Sequence, residues 1–356
     1  MLNGIRVGNS LLSVLKFYSM QQMKKILVIQ TAFIGDVVLA TSLLENLHEA
    51  YPLASIDMLV RHGNEALFLQ HPFLNEVLVW IKKNNKYLNW LRLLFKIRAN
   101  RYDAIINVQR FAATGALTAL SNAKFKIGFD KNPFSFLFTH RIAHHFTGVD
   151  LHEIDRNHQL VTAFLNTPVK KPVLYPSASD EAAVVTYQQS PYICMAPASV
   201  WFTKQFPLES WATLINEIPF NGVIYLIGGP GDKLLCDEIL KKVTHKTVVN
   251  VAGRLSFLAS GALQKKAVMN YVNDSAPLHF ASAVNAPVTA IYCATLPMFG
   301  FGPLSSKSFI VETTKALACR PCGLHGKKQC PLKHFDCAKT IKMDHLIAPL
   351  LQVQQH

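Results

Sequence analysis

The feature that most constrains this 356-residue chain is a local pattern that occurs in both halves. A short apolar run rich in β-branched residues passes through a turn of glycine or small polar residues into a segment whose apolar positions recur every three to four. In the first half KILVIQ at 25–30 leads through TAFIGD at 31–36 into residues 37–50. Runs at 55–60 and 104–108 repeat the buried-strand pattern, and between them residues 82–101 show helical spacing. A second series has strands at 192–196 and 222–227, each followed by a helix, at 208–218 and 234–243. Further strands follow at 248–251, 267–272 and 288–292. Strands alternating with helices imply parallel sheets with right-handed crossovers. The expected fold class is therefore α/β, with two Rossmann-like domains facing each other across a cleft and ligands at the carboxyl ends of the strands.

The expected domains are an extension at 1–22, an N-terminal domain at 23–172, a C-terminal domain at 173–340 and a last helix at 341–356 that could return to the N-terminal domain. Pro168, Pro172 and Pro176, among polar residues, mark the linker. Half of the residues are hydrophobic, enough for buried cores, which excludes a disordered or low-complexity chain. The uncharged stretch 279–306 is long enough to span a bilayer, but Pro287, Pro297 and Pro303 interrupt it. It reads as a buried strand-loop-strand passage. The short apolar run at 11–15 is cut by Lys16 and lacks a small-residue cleavage site, so export is not expected. Seven cysteines, an odd number, fit a reducing compartment.

Four signatures carry candidate chemistry. Asp36 follows Gly35 at a helix start, where a carboxylate suits either the macrodipole or a general base. Ser199, Thr203 and Lys204 lie in a strand-to-helix loop, where hydroxyls and a point charge can hold phosphate or simply face solvent. The turn Gly228-Gly229-Pro230-Gly231-Asp232 lacks the full dinucleotide spacing. Asp274, Ser275 and Ala276 follow a strand and open a helix of small residues, with His279 one turn inside. Such a helix start offers N–H groups to an anion, although a histidine there can equally fill the helix face.

Together these segments resemble the lipopolysaccharide heptosyltransferase family, glycosyltransferase family 9, over nearly the whole chain from Lys24 to Leu350. The resemblance implies a GT-B fold with an N-terminal acceptor domain and a C-terminal nucleotide-sugar donor domain. It implies inverting transfer of heptose from ADP-L-glycero-β-D-manno-heptose to a lipopolysaccharide inner-core acceptor, with no cofactor required. Asp36 then takes the catalytic-base position. Ser199, Thr203, Lys204, Gly229, Gly231, Asp232, Asp274, Ser275, Ala276 and His279 take donor-binding positions. Ala276 stands where the family usually has glycine, and Val200 replaces a frequent hydroxyl residue, which leaves open a GT-B enzyme with a different nucleotide-sugar donor, a transferase or an epimerase.

Net charge +14 favours an anionic partner. Arg110, Lys124, Lys126 and Arg141 are candidates for acceptor phosphates or carboxylates. Between Glu76 and Asp103 the chain has seven cations and no acid, interleaved with Trp80, Tyr87, Trp90 and Phe95. Such a helix suits either solvent or anionic lipid, hence an expected cytoplasmic enzyme in peripheral contact with the inner membrane surface. No nucleic-acid module accompanies the charge, so nucleic acid is not an expected partner and a zinc-containing nucleic-acid-binding protein is the less favoured alternative. Cys319, Cys322, Cys330 and Cys337 have donors suited to structural zinc but a spacing that fits no common finger; reduced thiols or a disulfide are the other readings.

Overall fold

The computed structural model describes residues 23–83, 85–144, 151–244 and 247–355, so the expected extension at 1–22 lies outside the described residues. These divide into two units. The first takes 23–33, 42–144 and 154–170, and the second takes 34–41, 151–153 and 171–355.

In the first unit the elements run β1 (Lys25–Ile29), α1 (Ile34–Ala50, whose first eight residues group with the second unit), β2 (Ser55–Arg61), β3 (Leu74–Trp80), α2 (Lys86–Asn100), β4 (Ala104–Asn107), α3 (Ala112–Leu120), β5 (Phe125–Phe129), β6 (His140–Ile142) and α4 (Glu153–His158). The strands form one parallel sheet in the order β3-β2-β1-β4-β5-β6. Apolar runs make β1, β2 and β4 almost wholly buried. On one face of the sheet Leu27, Leu59 and Ile105 meet Leu93, Leu94 and Ile97 of α2. β3, β5 and β6 carry weaker sequence signals. β3 is a half-exposed edge strand, and β6 has only three residues, so neither has the continuous apolar run that marks a central parallel strand.

The second unit holds α5 (Ala178–Val184), β7 (Tyr192–Ala196), α6 (Leu208–Glu217), β8 (Val223–Leu226), α7 (Lys233–Leu240), β9 (Val248–Asn250), α8 (Phe257–Lys266), β10 (Met269–Asn273), α9 (Ala276–Ala283), β11 (Val288–Tyr292), β12 (Ser308–Glu312), α10 (Asp336–Lys339) and α11 (Met343–Gln354). Its parallel sheet runs β12-β11-β10-β7-β8-β9, the same doubly wound order as the first. α5 starts on a capping box between Ser177 and Asp180. The stretch 279–306 differs from its expected strand-loop-strand form. It completes α9, forms the buried strand β11 and enters a short turn at Pro297–Phe299, because the apolar residues before Asn285 sit on a helix that its small side chains let pack closely. Among the described residues no helix is long and apolar enough to cross a membrane.

The last helix is built into its own unit. Leu346 and Leu350 are fully buried in the core around Trp211, and the Tyr271 hydroxyl donates to the Leu346 carbonyl at 3.0 Å. The apolar face of α11 covers α6 and β12. Replacing Leu346 with Ala should lower the unfolding free energy by about 2–5 kcal/mol through lost contacts and a residual cavity. A denaturant midpoint equal to that of the unsubstituted chain would contradict this packing.

Candidate functional site

Strand order selects the site. β7 and β10 are neighbours at the point where the chain reverses its winding, β7 leading to β8 on one side and β10 to β11 on the other. The loops leaving their carboxyl ends therefore diverge and open a crevice, the place where doubly wound sheets bind ligands. The loop after β7 carries Ser199, Thr203 and Lys204; the loop after β10 carries Asp274 and Ser275 and leads into Ala276 and His279 of α9. Asn273, buried at the end of β10, ties the two together. Its amide donates to the Pro197 carbonyl at 2.8 Å, and its carbonyl oxygen accepts the Phe206 N–H at 3.0 Å. Lys204 Nζ then lies 2.6 Å from Asp274 Oδ2, with the two side chains only 14% and 6% exposed. The Thr295 hydroxyl donates to the same oxygen at 2.6 Å.

α9 begins at Ser275, whose side chain makes no capping bond, and has Pro in its first turn. His279 is buried, which drives its imidazole pKa down to about 3; Lys204 and His152 push the same way and Asp274 opposes them. Its Nδ1 has no hydrogen-bond partner among the described residues. His279 is thus a neutral ring, unable to supply positive charge to a phosphate at physiological pH. It packs on the start of α1. A Cβ on Gly35 would stand 2.9 Å from His279 Cδ2 and 3.8 Å from the Ala276 Cα, so only glycine fits there. Asp36, the next residue, is a half-buried acid in the first turn of α1. The structure thereby brings the Asp36 turn, the α9 N-terminus and Lys204 together within the second unit.

Other expected donor residues have structural duties. The Thr203 hydroxyl accepts the Lys327 N–H at 2.7 Å, and the residue is 1% exposed. The Ser199 carbonyl accepts from Gln205 at 2.6 Å, while Val200 beside it is exposed. Asp232 Oδ2 accepts the Gly229 N–H at 2.8 Å and so closes its own turn, with Gly231 exposed at the tip.

Lys327 belongs to the cysteine-rich loop, which braces the Lys204 segment from behind. Gly326, at φ +76°, would bring a Cβ to 3.1 Å from Lys204 Cγ and from Thr203 Oγ1. Arg320 anchors the loop, donating to the carbonyls of Cys293 and Thr295 and pairing with Glu312 at 2.6 Å. The thiols of Cys319, Cys322, Cys330 and Cys337 are all free. Burial and the neighbouring cysteines push the Cys337 thiol up to about 11. Among the described residues no three His, Cys, Asp or Glu side chains form a group that could hold a metal ion.

In the first unit Lys124 and Lys126 lie at the amino end of β5. Lys124 is paired with Asp103 at 2.7 Å, and Lys126 donates to the Ala119 carbonyl at 2.8 Å. They thus stand at the amino edge of the sheet, opposite the edge at which doubly wound sheets bind ligands. Arg110 follows the carboxyl end of β4, and Arg141 is exposed on β6. Sequence reading overlooked Arg61 at the carboxyl end of β2 and underused Lys82 just past β3. Lys82 donates to the Thr31 carbonyl at 3.1 Å, and Arg61 lies 4.8 Å from the Phe33 ring. Burial lowers the Lys82 pKa, and the nearby Arg61 and Lys86 lower it further. Such a cluster of like charges at a ligand edge suits an anion. The overlooked signal was a cation placed at or just after the end of an apolar strand. Gln30 and Gln109 hydrogen-bond across the β1/β4 switch point.

The profile of glycosyltransferase family 9 (heptosyltransferase) matches residues 90–335. The chain is 28% identical over 286 residues to lipopolysaccharide heptosyltransferase 3 of Escherichia coli, an alignment covering 75% of this chain and 83% of the relative. Its fold is that of the family 9 glycosyl transferase of Veillonella parvula, with TM-score 0.79, 18% identity, and 94% and 98% of the two chains covered. It also matches the E. coli ADP-heptose lps heptosyltransferase II, with TM-score 0.74, 22% identity, and 93% and 99% covered.

The buried imidazoles predict acid sensitivity. His279 has a folded pKa of about 3, and burial also brings His71 and His144 to about 4, against 6.5 for the free side chain. Below 6.5 the unfolded chain binds protons that the folded chain refuses, so stability should fall as pH drops from about 6.5 toward 4. His279→Gln should flatten that slope by up to about 1.4 kcal/mol per pH unit in denaturant titrations. Parallel slopes in the two proteins would show that His279 does not stay neutral when folded.

Proposed function

The chain belongs to glycosyltransferase family 9 and has the GT-B fold, and on that premise we propose that it transfers heptose from an ADP-heptose donor to a lipopolysaccharide inner-core acceptor, with inversion and with Asp36 as general base. The observation that carries this reading is the Lys204–Asp274 pair at the switch point of the second unit, beside the α9 N-terminus and the Asp36 turn. The names of the relatives supply the donor and acceptor class.

In this mechanism the Asp36 carboxylate takes the proton of the acceptor hydroxyl as its oxygen attacks the anomeric carbon. Attack comes from the face opposite the departing ADP, so configuration inverts. The charge that develops on the diphosphate is met by Lys204 and by the oriented N–H groups at Ser275 and Ala276. An ammonium has three donors, so Lys204 can give one to Asp274 and the others to phosphate. Asp274, itself an anion, acts as a positioning residue: with Thr295 it holds Lys204 aimed into the crevice. The neutral His279 ring seats Gly35 and thereby the base. The sequence has no paired aspartates to bridge a divalent cation to the diphosphate, and Lys204 with the helix dipole takes that load instead. Arg61, Lys82 and Arg110 are the groups suited to the acceptor's anionic substituents. We place the reaction at the cytoplasmic surface of the inner membrane, where such an acceptor is embedded.

Asp36→Asn should retain ADP affinity while turnover falls by roughly 10²–10⁴. Near-normal turnover would refute the base assignment. Lys204→Gln should weaken ADP binding, read as lost thermal stabilisation by ADP, and leave the weaker stabilisation by adenosine almost unchanged. Because the substitution also leaves Asp274 buried without its cation, a general drop in melting temperature is expected in both arms. Equal loss for ADP and adenosine would mean that Lys204 serves the fold and not the diphosphate.

A further inference from the structure

We propose that the outward face of α2 is a docking surface for a bilayer carrying anionic lipid. This deepens the membrane part of the function above and rests on it for its purpose, while the geometry belongs to the first unit alone. α2 carries two apolar stripes. One, formed by Leu93, Leu94 and Ile97, is buried against the sheet. A solvated outer helix would carry polar residues opposite that stripe. Here the opposite side carries Leu88, Leu91 and Phe95 at positions i, i+3 and i+7, with exposures of 47%, 44% and 67%, and Tyr87 beside them at 80%. An exposed ridge of large apolar side chains marks a surface made to be covered.

What surrounds the ridge selects the occupant. Arg92 and Lys96 flank it on one side and Arg98 on the other, Lys82, Lys83 and Lys86 precede it and Arg101 follows, and the whole run from 77 to 102 contains no acid. Of these cations Lys96 is, among the described residues, the one paired with a carboxylate, that of Glu76. Lysine is depleted at protein interfaces, whereas a Lys/Arg border around leucine and aromatic residues suits lipid phosphates above acyl chains. Beside the ridge, between α2 and the edge strand β3, runs an open groove of about 360 Å³ lined by Val77, Val79, Ile81, Arg92, Leu93 and Lys96. Its apolar walls and two cations match the same chemistry, methylenes beneath a phosphate. Trp90 takes no part, since its indole is half-buried and donates to the Ala113 carbonyl at 2.9 Å.

The test uses the full chain and extruded vesicles, of phosphatidylcholine alone or with about 30 mol% phosphatidylglycerol, read by co-sedimentation. The protein should bind the anionic vesicles, less so as salt rises, and not the neutral ones. The exposed pair Leu91→Ser with Phe95→Ser, and separately Arg92→Glu with Arg98→Glu, should each weaken binding by about tenfold or more. Lys241→Glu with Lys242→Glu, exposed cations of the second unit, should leave it unchanged and so exclude a simple effect of net charge. Stabilisation by ADP, measured on the same proteins, should be retained by every variant and shows that each is folded. Equal vesicle binding by all variants would overturn the proposal, and so would self-association in lipid-free solution that the Leu91/Phe95 pair abolishes, because the face would then seat a second copy of the chain. Failure of ADP to stabilise the unsubstituted chain, with vesicle binding intact, would count against the donor site and for the lipid surface.

Discussion

The buried ion pair between Lys204 and Asp274 is the interaction around which the second unit organises its ligand edge. Two charges removed from water need close geometry and further hydrogen bonds to be tolerable. The structure supplies both: a 2.6 Å contact, and the Thr295 hydroxyl on the same oxygen. Three segments leaving β7, β10 and β11 therefore meet at one carboxylate. Asn273 adds backbone bonds between the first two, and the β7 loop is held although it contains little regular structure.

The cysteine-rich loop follows from the same constraint. Lys204 lies on a short irregular turn, so its aim depends on what stands behind it. That support comes through Thr203, bonded to the Lys327 backbone, and through Gly326, where a side chain would crowd Lys204 itself. The loop is secured by Arg320 on the carbonyls at the end of β11 and by Cys337 in the core. In this arrangement the cysteines serve as compact, partly buried side chains of a brace.

The two units share a strand order but differ in what they offer at the carboxyl edge. The second presents a helix N-terminus, a lysine held by its acid, and a neutral histidine that seats Gly35. The first presents a buried glutamine pair at its switch point and cations at the ends of β2, β3 and β4. The first edge thus offers flexible point charges, the second fixed dipoles and a lysine held in place.

Local pattern alone determined the strand-turn-helix series, the class of fold, and the turns that carry Asp36, Lys204 and Asp274, because apolar periodicity and turn chemistry act over neighbouring residues. Short or half-exposed elements such as β3 and β6 escaped it, since their burial is set by neighbours distant in the chain. Tertiary structure alone decided that Lys204 meets Asp274, that Thr203 and Asp232 close loops, and that Lys124 and Lys126 take partners at the amino edge of their sheet. It also decided which apolar stripe of α2 is buried. Both stripes have helical spacing, and only the position of the sheet makes one of them core and leaves the other facing outward.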